Sequence, residues 1–171
     1  MILSEMIRKV ELRDVEGIAE IYNHYIRNTI VTFEETTLST EEMKDRIIAI
    51  TSKFPWLVYE SEGSIKGYAY GCEWKSRSAY KYSLESTVYL KFDETGKGIG
   101  SALYKELFEL LGALDFHAVI GGISLPNAMS VALHEKFGFK KIAQFKEVGY
   151  KFGKWIDVGY WELLLENNLQ S

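Results

Sequence analysis

Scarcity sets the first limits on this 171-residue chain. Cysteine occurs once, as Cys72, so no internal disulfide is possible and a reducing compartment is expected. Histidine occurs three times, and neither His24 nor His117 has a partner at metal-ligand spacing, so no metal site is expected. No apolar run approaches the roughly 18 residues of a membrane span. The N-terminus lacks an apolar segment followed by a small-residue cleavage site, and the expectation is a cytoplasmic protein. Positive charge is not in excess: 20 Lys and Arg against 24 Asp and Glu give a net charge of −4. Nucleic acid and anionic membrane are therefore not expected as partners. A hydrophobic content of 47% excludes disorder, and the length fits one domain over residues 1–171.

Glycine is not scarce, and it is concentrated where it matters. In Asp93-Glu94-Thr95-Gly96-Lys97-Gly98-Ile99-Gly100-Ser101-Ala102-Leu103, three alternate glycines follow a β-type run and open a helical one. Ile99, Leu103, Leu107, Leu110 and Leu111 recur at helical spacing. Such a turn presents unpaired backbone N–H groups at the positive end of a helix dipole, a site for a phosphate or pyrophosphate. Glycine permits the positive φ and the close approach. The spacing is not a Walker A loop, because no Lys-Ser or Lys-Thr follows the last glycine, and not G-x-G-x-x-G.

Around this loop the pattern gives an element order. Met6 to Leu12 reads as a strand, with Arg13-Asp14 capping a helix whose apolar face carries Ile18, Ile21, Tyr22, Tyr25 and Ile26. Asn28 to Thr37 reads as a polar loop with Phe33 as its one large apolar residue, either a lid or a core anchor. Ser39 and Glu42 form a capping box for a second helix, which stops before Pro55. Trp56 to Glu60 and Ser64 to Trp74 are strands joined by a turn at Glu62-Gly63. Tyr80 to Phe92 reads as one long strand, and Ala118 to Leu125 as a buried one. Pro126-Asn127 starts a helix over Ala128 to Phe137, which Gly138 ends; Lys140 to Tyr150 and Trp155 to Leu165 are the last strands.

In the long strand, alternation puts Glu85, Thr87 and Tyr89 on one face, opposite Leu84, Ser86, Val88 and Leu90. A carboxylate in an otherwise apolar strand must find a partner or shift its pKa, which makes Glu85 a candidate general base. A structural ion pair is the alternative. Cys72, in a strand, reads as a small apolar residue rather than a nucleophile.

The loop Thr95-Gly96-Lys97-Gly98-Ile99-Gly100 resembles the acyl-CoA pyrophosphate loop R/Q-x-x-G-x-G/A of GCN5-related N-acetyltransferases (GNAT), with Thr95 departing at the first position. Many segments resemble the phosphinothricin N-acetyltransferase branch of that superfamily. Among them are Ile21-Tyr22-Asn23-His24-Tyr25, Thr32-Phe33-Glu34, Trp74-Lys75-Ser76-Arg77-Ser78-Ala79-Tyr80, Glu85-Ser86-Thr87-Val88-Tyr89, Leu125-Pro126-Asn127, Leu133-His134-Glu135 and Trp155-Ile156-Asp157-Val158. They run in family order from about Ile7 to Leu165. The resemblance implies an α/β (α+β) GNAT fold, a mixed and mostly antiparallel sheet flanked by helices in the order β-α-α-β-β-β-α-β-α-β-β. It implies acetyl-CoA as co-substrate, no metal, and direct transfer to an amine such as that of phosphinothricin, methionine sulfone or methionine sulfoximine.

Site roles follow from the same resemblance. Glu85 is implied as base, and His134 as acid or proton shuttle, in the place where many relatives carry a tyrosine. Backbone groups near Val88, Tyr89 and Leu90 would polarise the thioester. Gly96, Lys97, Gly98, Ile99, Gly100 and Ser101 would cradle the pyrophosphate, and Asn127 would hold the pantetheine arm, cap its helix, or both. Arg77 and Tyr80 would meet the substrate, with Arg77 able to fork onto a carboxylate; Phe33 and Thr87 would complete that pocket. Relatives are commonly dimers, so a homodimer is implied. Two rival readings are the same fold acting on a polyamine or a protein N-terminus, and a non-catalytic acyl-CoA-binding module.

Overall fold

A computed structural model describes residues 5–166 and contains seven strands in one sheet. The elements are β1 (Met6–Lys9), α1 (Val15–Asn28), α2 (Thr40–Thr51), β2 (Trp56–Ser61), β3 (Ser64–Glu73), β4 (Ser83–Leu90), α3 (Ile99–Ala113), β5 (Ala118–Leu125), α4 (Ala128–Lys136), β6 (Lys140–Lys151) and β7 (Lys154–Leu164). Their order is the one expected, and the sheet runs β1-β2-β3-β4-β5-β7-β6. Every neighbouring pair is antiparallel except β4 with β5.

Several boundaries differ from the sequence reading. The first strand ends at Lys9, and Leu12–Asp14 is a 3-10 turn. The long strand begins only at Ser83, because Ser78–Tyr80 and Phe92–Glu94 coil into 3-10 turns at its two ends. Asp14 does not cap α1 with its side chain. Its carboxylate turns back instead, accepting from the Glu11 N–H at 2.8 Å and from both Arg8 guanidinium nitrogens at 2.7 Å. Arg8 also donates to Glu60. Burial alone would raise the Asp14 pKa, but Arg8 holds it below the ordinary carboxylate value. The capping box is as read: Ser39 Oγ accepts from Glu42 N–H, and Glu42 accepts from Ser39 N–H. Glu62 and Gly63, both at positive φ, make the tight turn that two-residue hairpins require.

A core lies on each face of the sheet. Leu103, Tyr104, Leu107 and Leu111 of α3 pack on Leu84, Val119 and Ile123, while Ile18, Tyr22 and Ile26 of α1 pack with Met43 and Ile47 of α2 on Val58 and Tyr68. Alternation assigns β4 accordingly: Ser86 reaches Tyr104 on the α3 side, and Tyr89 meets Tyr22 on the α1 side.

What positions the site is a place where the sheet parts. β4 and β5 pair only at Ser83↔Ala118, Leu84↔Val119 and Glu85↔Ile120, although both strands run on for about five residues. Beyond Glu85 they are unpaired with each other, and a gap opens through the sheet.

Candidate active site

The gap exposes backbone groups in a defined order. Lys91 N–H donates to Lys66 O at 2.8 Å, and the β3–β4 register is unbroken. Odd-numbered residues of β4 therefore spend their amides on β3, and even-numbered ones turn theirs towards β5. Up to Leu84 that side is taken up by β5. From Ser86 on, the N–H and C=O groups of Val88 and the N–H of Leu90 face the gap, while the Leu90 carbonyl accepts from Tyr25 Oη at 2.7 Å.

Two cavities meet at the gap. One, of about 480 Å³, is lined by Val88, Leu90, Thr95, Gly96, Gly98, Gly100, Ser101, Asn127, Met129, Leu133 and Lys136, among others. The other, of about 430 Å³, is lined by Thr32, Phe33, Glu85, Thr87, Tyr89, Tyr104, Gly122, Ser124, His134, Val148, Val158 and Tyr160, among others. Val31, Val88 and Ser130 belong to both, so they form one cleft.

The first cavity has the features of an acyl-CoA groove. Gly96 and Gly98 stand at φ 77° and 84°, and a Cβ on either would meet nothing within 4 Å, so the loop is open for close approach. The first amide bonded inside α3 is that of Ala102, to Gly98 O, leaving the N–H groups of Ile99, Gly100 and Ser101 at the helix start without a helical acceptor. Leu90, Met129 and Leu133 add apolar wall for a pantetheine arm. These residues fit acetyl-CoA. Asn127 caps α4, its Oδ1 accepting from Ser130 N–H at 3.1 Å, and also lines the groove. Ile99 is a core side chain and takes part only through its backbone; Lys97 lines neither cavity and pairs with Glu94 at 2.8 Å.

Glu85 is the polar centre of the second cavity. Among the described residues it makes no ion pair and no hydrogen bond, and burial raises its pKa above the ordinary carboxylate value. The alternative of a carboxylate held by a structural cation is thereby excluded. Its Oε1 lies 3.2 Å from where a Cβ on Gly122 would stand, so glycine there keeps the carboxylate accessible.

His134 approaches from the other face of β5. A Cβ on Gly121 would stand 2.7 Å from its Nε2, and successive strand residues point to opposite faces. Its Nδ1 lies 2.7 Å from the Ser130 carbonyl oxygen, which only accepts, so Nδ1 carries the proton. Nε2 then accepts from Tyr104 Oη at 3.2 Å. Burial lowers the His134 pKa, only partly offset by the Ser130 bond, so the imidazole is neutral at pH 7. Tyr104, fully buried and reached by Ser86 Oγ at 3.4 Å, was not a candidate from the sequence. It sits on the apolar stripe of α3 and reads there as core.

Phe33 and Thr87 line the second cavity, and Phe33 forms part of its cover. The Phe33 ring lies against Gly149 of β6, where any side chain would overlap it. The loop is tied down beside it: Lys151, 2% exposed, donates from Nζ to Thr32 O at 2.7 Å, and Thr32 Oγ1 bonds Tyr22 Oη at 2.9 Å. Arg77 and Tyr80 are not brought to Glu85 within the chain. Both are exposed and line a separate cavity of about 220 Å³ with Glu73, Ser83 and Phe116. Among the described residues no group of three or more His, Cys, Asp or Glu is arranged to hold a metal, and no helix is long and apolar enough to cross a membrane. Burial, with Glu85 nearby, pushes the Cys72 thiol up to about 12, which does not suit a nucleophile.

Comparison with known proteins agrees with this geometry. The family model for the acetyltransferase (GNAT) domain matches residues 7–159. The chain is 38% identical over 156 residues to the phosphinothricin N-acetyltransferase of Streptomyces viridochromogenes, covering 91% of this chain and 85% of that one. It is 32% identical over 166 residues to the L-methionine sulfoximine/L-methionine sulfone acetyltransferase of Salmonella typhimurium, covering 95% of both. The crystal structure of a GNAT superfamily phosphinothricin acetyltransferase from Sinorhizobium meliloti in complex with AcCoA superposes with a TM-score of 0.93 at 34% identity, covering 99% of this chain and 93% of that one.

Proposed function

The chain belongs to the GNAT acetyltransferase family and is an acetyl-CoA-dependent N-acetyltransferase of the phosphinothricin and methionine-sulfoximine group; from that premise we propose that it acetylates the α-amine of a small amino-acid-like compound by direct transfer. One observation carries this reading. An unpaired, half-buried carboxylate, Glu85, faces a cavity that joins, through the β4–β5 gap, a glycine cradle.

The donor supplies an acetyl thioester, and the chain's own groups do the rest. Gly96, Gly98 and the free amides at the start of α3 hold an anionic pyrophosphate. The Val88 N–H, turned into the gap, is placed to donate to a carbonyl oxygen that gains negative charge during transfer. An α-ammonium must lose a proton before it attacks, and Glu85 takes it. The Tyr104–His134 pair lies on the opposite face. There, among the described residues, Tyr104 Oη is the donor to His134 Nε2. The second proton that the nitrogen sheds as the tetrahedral adduct collapses replaces whatever proton the departing sulfur takes from this pair, so the pair serves as a relay with no net loss.

The limited volume of the second cavity, about 430 Å³, and the similarity to acetyltransferases of amino-acid analogues favour an amino acid over a peptide or protein N-terminus. Free Glu85 argues against a module that only binds acyl-CoA, which has no use for a base. We also infer a homodimer: Ile142, Phe145, Val148, Tyr150, Phe152 and Trp155 of the β6–β7 hairpin are all more than half exposed. Light scattering on the purified protein tests this, and a monomer at micromolar concentration refutes it.

The test of function is release of free CoA from acetyl-CoA across a panel. It contains phosphinothricin, L-methionine sulfone, common amino acids, spermidine and a short peptide, with Glu85→Gln and His134→Ala beside wild type from about pH 6 to 9. Turnover confined to amino-acid-like amines, and cut about 100-fold or more by Glu85→Gln, is expected. Tight acetyl-CoA binding with no turnover of any amine would sink the reading.

A further inference from the structure

We propose that the Ser124 hydroxyl contacts the acceptor, taking a hydrogen bond from the amino group to be acetylated and setting its orientation. The proposal rests on the amine-acetyltransferase reading above and assigns one more residue to the same site.

Ser124 is 7% exposed and lines the second cavity, yet among the described residues its Oγ has no hydrogen-bond partner. Buried hydroxyls are nearly always paired, so one left open in a cleft points to something that enters it. Among the described residues only one other side-chain atom is in this condition, Trp56 Nε1, which lines neither half of the cleft.

The position of the hydroxyl suits an amine. Gly122 and Ser124 alternate onto the same face of β5, the face that meets Glu85. Glu85 Oε1 approaches Gly122, and Ser124 lies one pleat repeat further on, about 6.6 Å along the strand. Two N–H bonds of one nitrogen, set near the tetrahedral angle and each reaching an oxygen at about 2.9 Å, bridge oxygens about 4.7 Å apart. For one amine to touch both, the Glu85 and Ser124 side chains lean together by about 2 Å from that strand separation, a change that rotation about their χ angles supplies.

Carrying the Glu85↔Ile120 register onward, residue for residue, brings Ser124 level with Tyr89 and one step past Val88, whose N–H faces the gap. An amine that has given one proton to Glu85 keeps two N–H bonds. The lone pair left by that proton faces Glu85, and a turn about the C–N bond, with one N–H held by Ser124, brings it towards the Val88 side. Rival acceptors are few. Val158, directly across from Ser124 on β7, has an apolar side chain, and His134 lies behind β5; the nearest rival is Tyr160, whose ring lies at Gly122 beside Glu85.

The experiment is steady-state kinetics on the whole protein with acetyl-CoA and L-methionine sulfone. Ser124→Ala is expected to lower kcat/KM for the amine about tenfold, the loss of one well-placed hydrogen bond. The KM for acetyl-CoA and the acid limb of the pH profile are expected to stay, and the Tm to hold or rise, because an unpaired buried hydroxyl is gone. Ser124→Thr, which keeps the hydroxyl, is expected to retain most of the activity. The same tenfold loss with the methyl ester of L-methionine sulfone supports a contact to the amine. An effect that disappears with the ester overturns it, since the hydroxyl then reads the carboxylate. Wild-type turnover with an unchanged Ser124→Ala overturns the contact alone, whereas no wild-type turnover of any amine fells the acetyltransferase reading and the contact together.

Discussion

Replacing Gly121 by alanine puts a single methyl group against the His134 imidazole, and its effect can be worked out. The new Cβ would stand 2.6 Å from Cδ2 and 2.7 Å from Nε2, where non-bonded carbon contacts settle near 3.5–4.0 Å. The ring must therefore yield by roughly 1 Å. It has little freedom, being fixed by the 2.7 Å bond to Ser130 O and flanked by the Tyr104 and Phe139 rings at 5.3 and 5.0 Å. A retreat of that size also breaks the 3.2 Å bond to Tyr104. Overpacking costs about 1–3 kcal/mol, and stranding a buried hydrogen-bonding group about 1–3 kcal/mol more. Alanine in place of strand glycine offsets about 0.5–1 kcal/mol. For a domain of this size the net is a fall in Tm on the order of 10 °C, read by circular dichroism. In the kinetic assay kcat falls, while the KM for acetyl-CoA stays, because Gly121 does not line the groove. Adding His134→Ala removes the ring that is struck, so the double variant is expected to be more stable than the two single losses summed. A Gly121→Ala protein with wild-type Tm and kcat would refute the placement of the imidazole behind β5.

Other outcomes follow from the same geometry. The raised pKa of Glu85 has two signs: activity, which needs the ionised base, should rise with pH through a value above the ordinary carboxylate one. Stability should fall across that same window, because the folded state holds the Glu85 proton more tightly than the unfolded chain does; Glu85→Gln should remove that fall and raise the Tm at pH 7. Lys151→Met should cost about 1.5–3 kcal/mol and raise the KM for the amine more than that for acetyl-CoA, since it frees the loop at Thr32; equal changes in both would refute the tie. Gly98→Ala, at φ 84° but without a clash, should cost about 1–2 kcal/mol and weaken acetyl-CoA binding with the amine KM unchanged, which isothermal titration and kinetics can separate.

The legible parts of the chain were those written in local pattern. Helical spacing in α1 and α3, the Ser39–Glu42 box and the glycine run each depend on residues within a few positions of one another, and each has the local structure read for it, the glycines as a turn that opens a helix. Alternation in β4 placed Glu85 and Ser86 on opposite faces without any knowledge of their neighbours. What stayed hidden depends on long-range pairing. Tyr80 and Tyr82 have strand-like side chains, but the strand starts at Ser83, where the ladder to Ala118 begins. Asp14 looked like a cap because it precedes a helix, but Arg8 and the Glu11 amide claim it. Tyr104 and His134 are 30 residues apart, and nothing in an apolar stripe distinguishes a tyrosine that only packs from one that also donates. Ser124 was equally silent, a small polar residue in a strand read as buried. The loop carrying Arg77 was recognisable, but its distance from Glu85 was not.

The two halves of the cleft share only Val31, Val88 and Ser130, and this has an evolutionary consequence. The donor half is built from the end of β4, the glycine loop and the starts of α3 and α4. The acceptor half is walled mainly by the Val31–Phe33 loop, the β6–β7 hairpin and one face of β5. If the second cavity holds the amine as proposed, mutations at Phe33, Val148, Val158 or Tyr160 can explore new amines while the acyl-donor half is inherited intact. A gene copy of this chain could drift to another acceptor in single steps, without passing through a form that has lost acetyl-CoA.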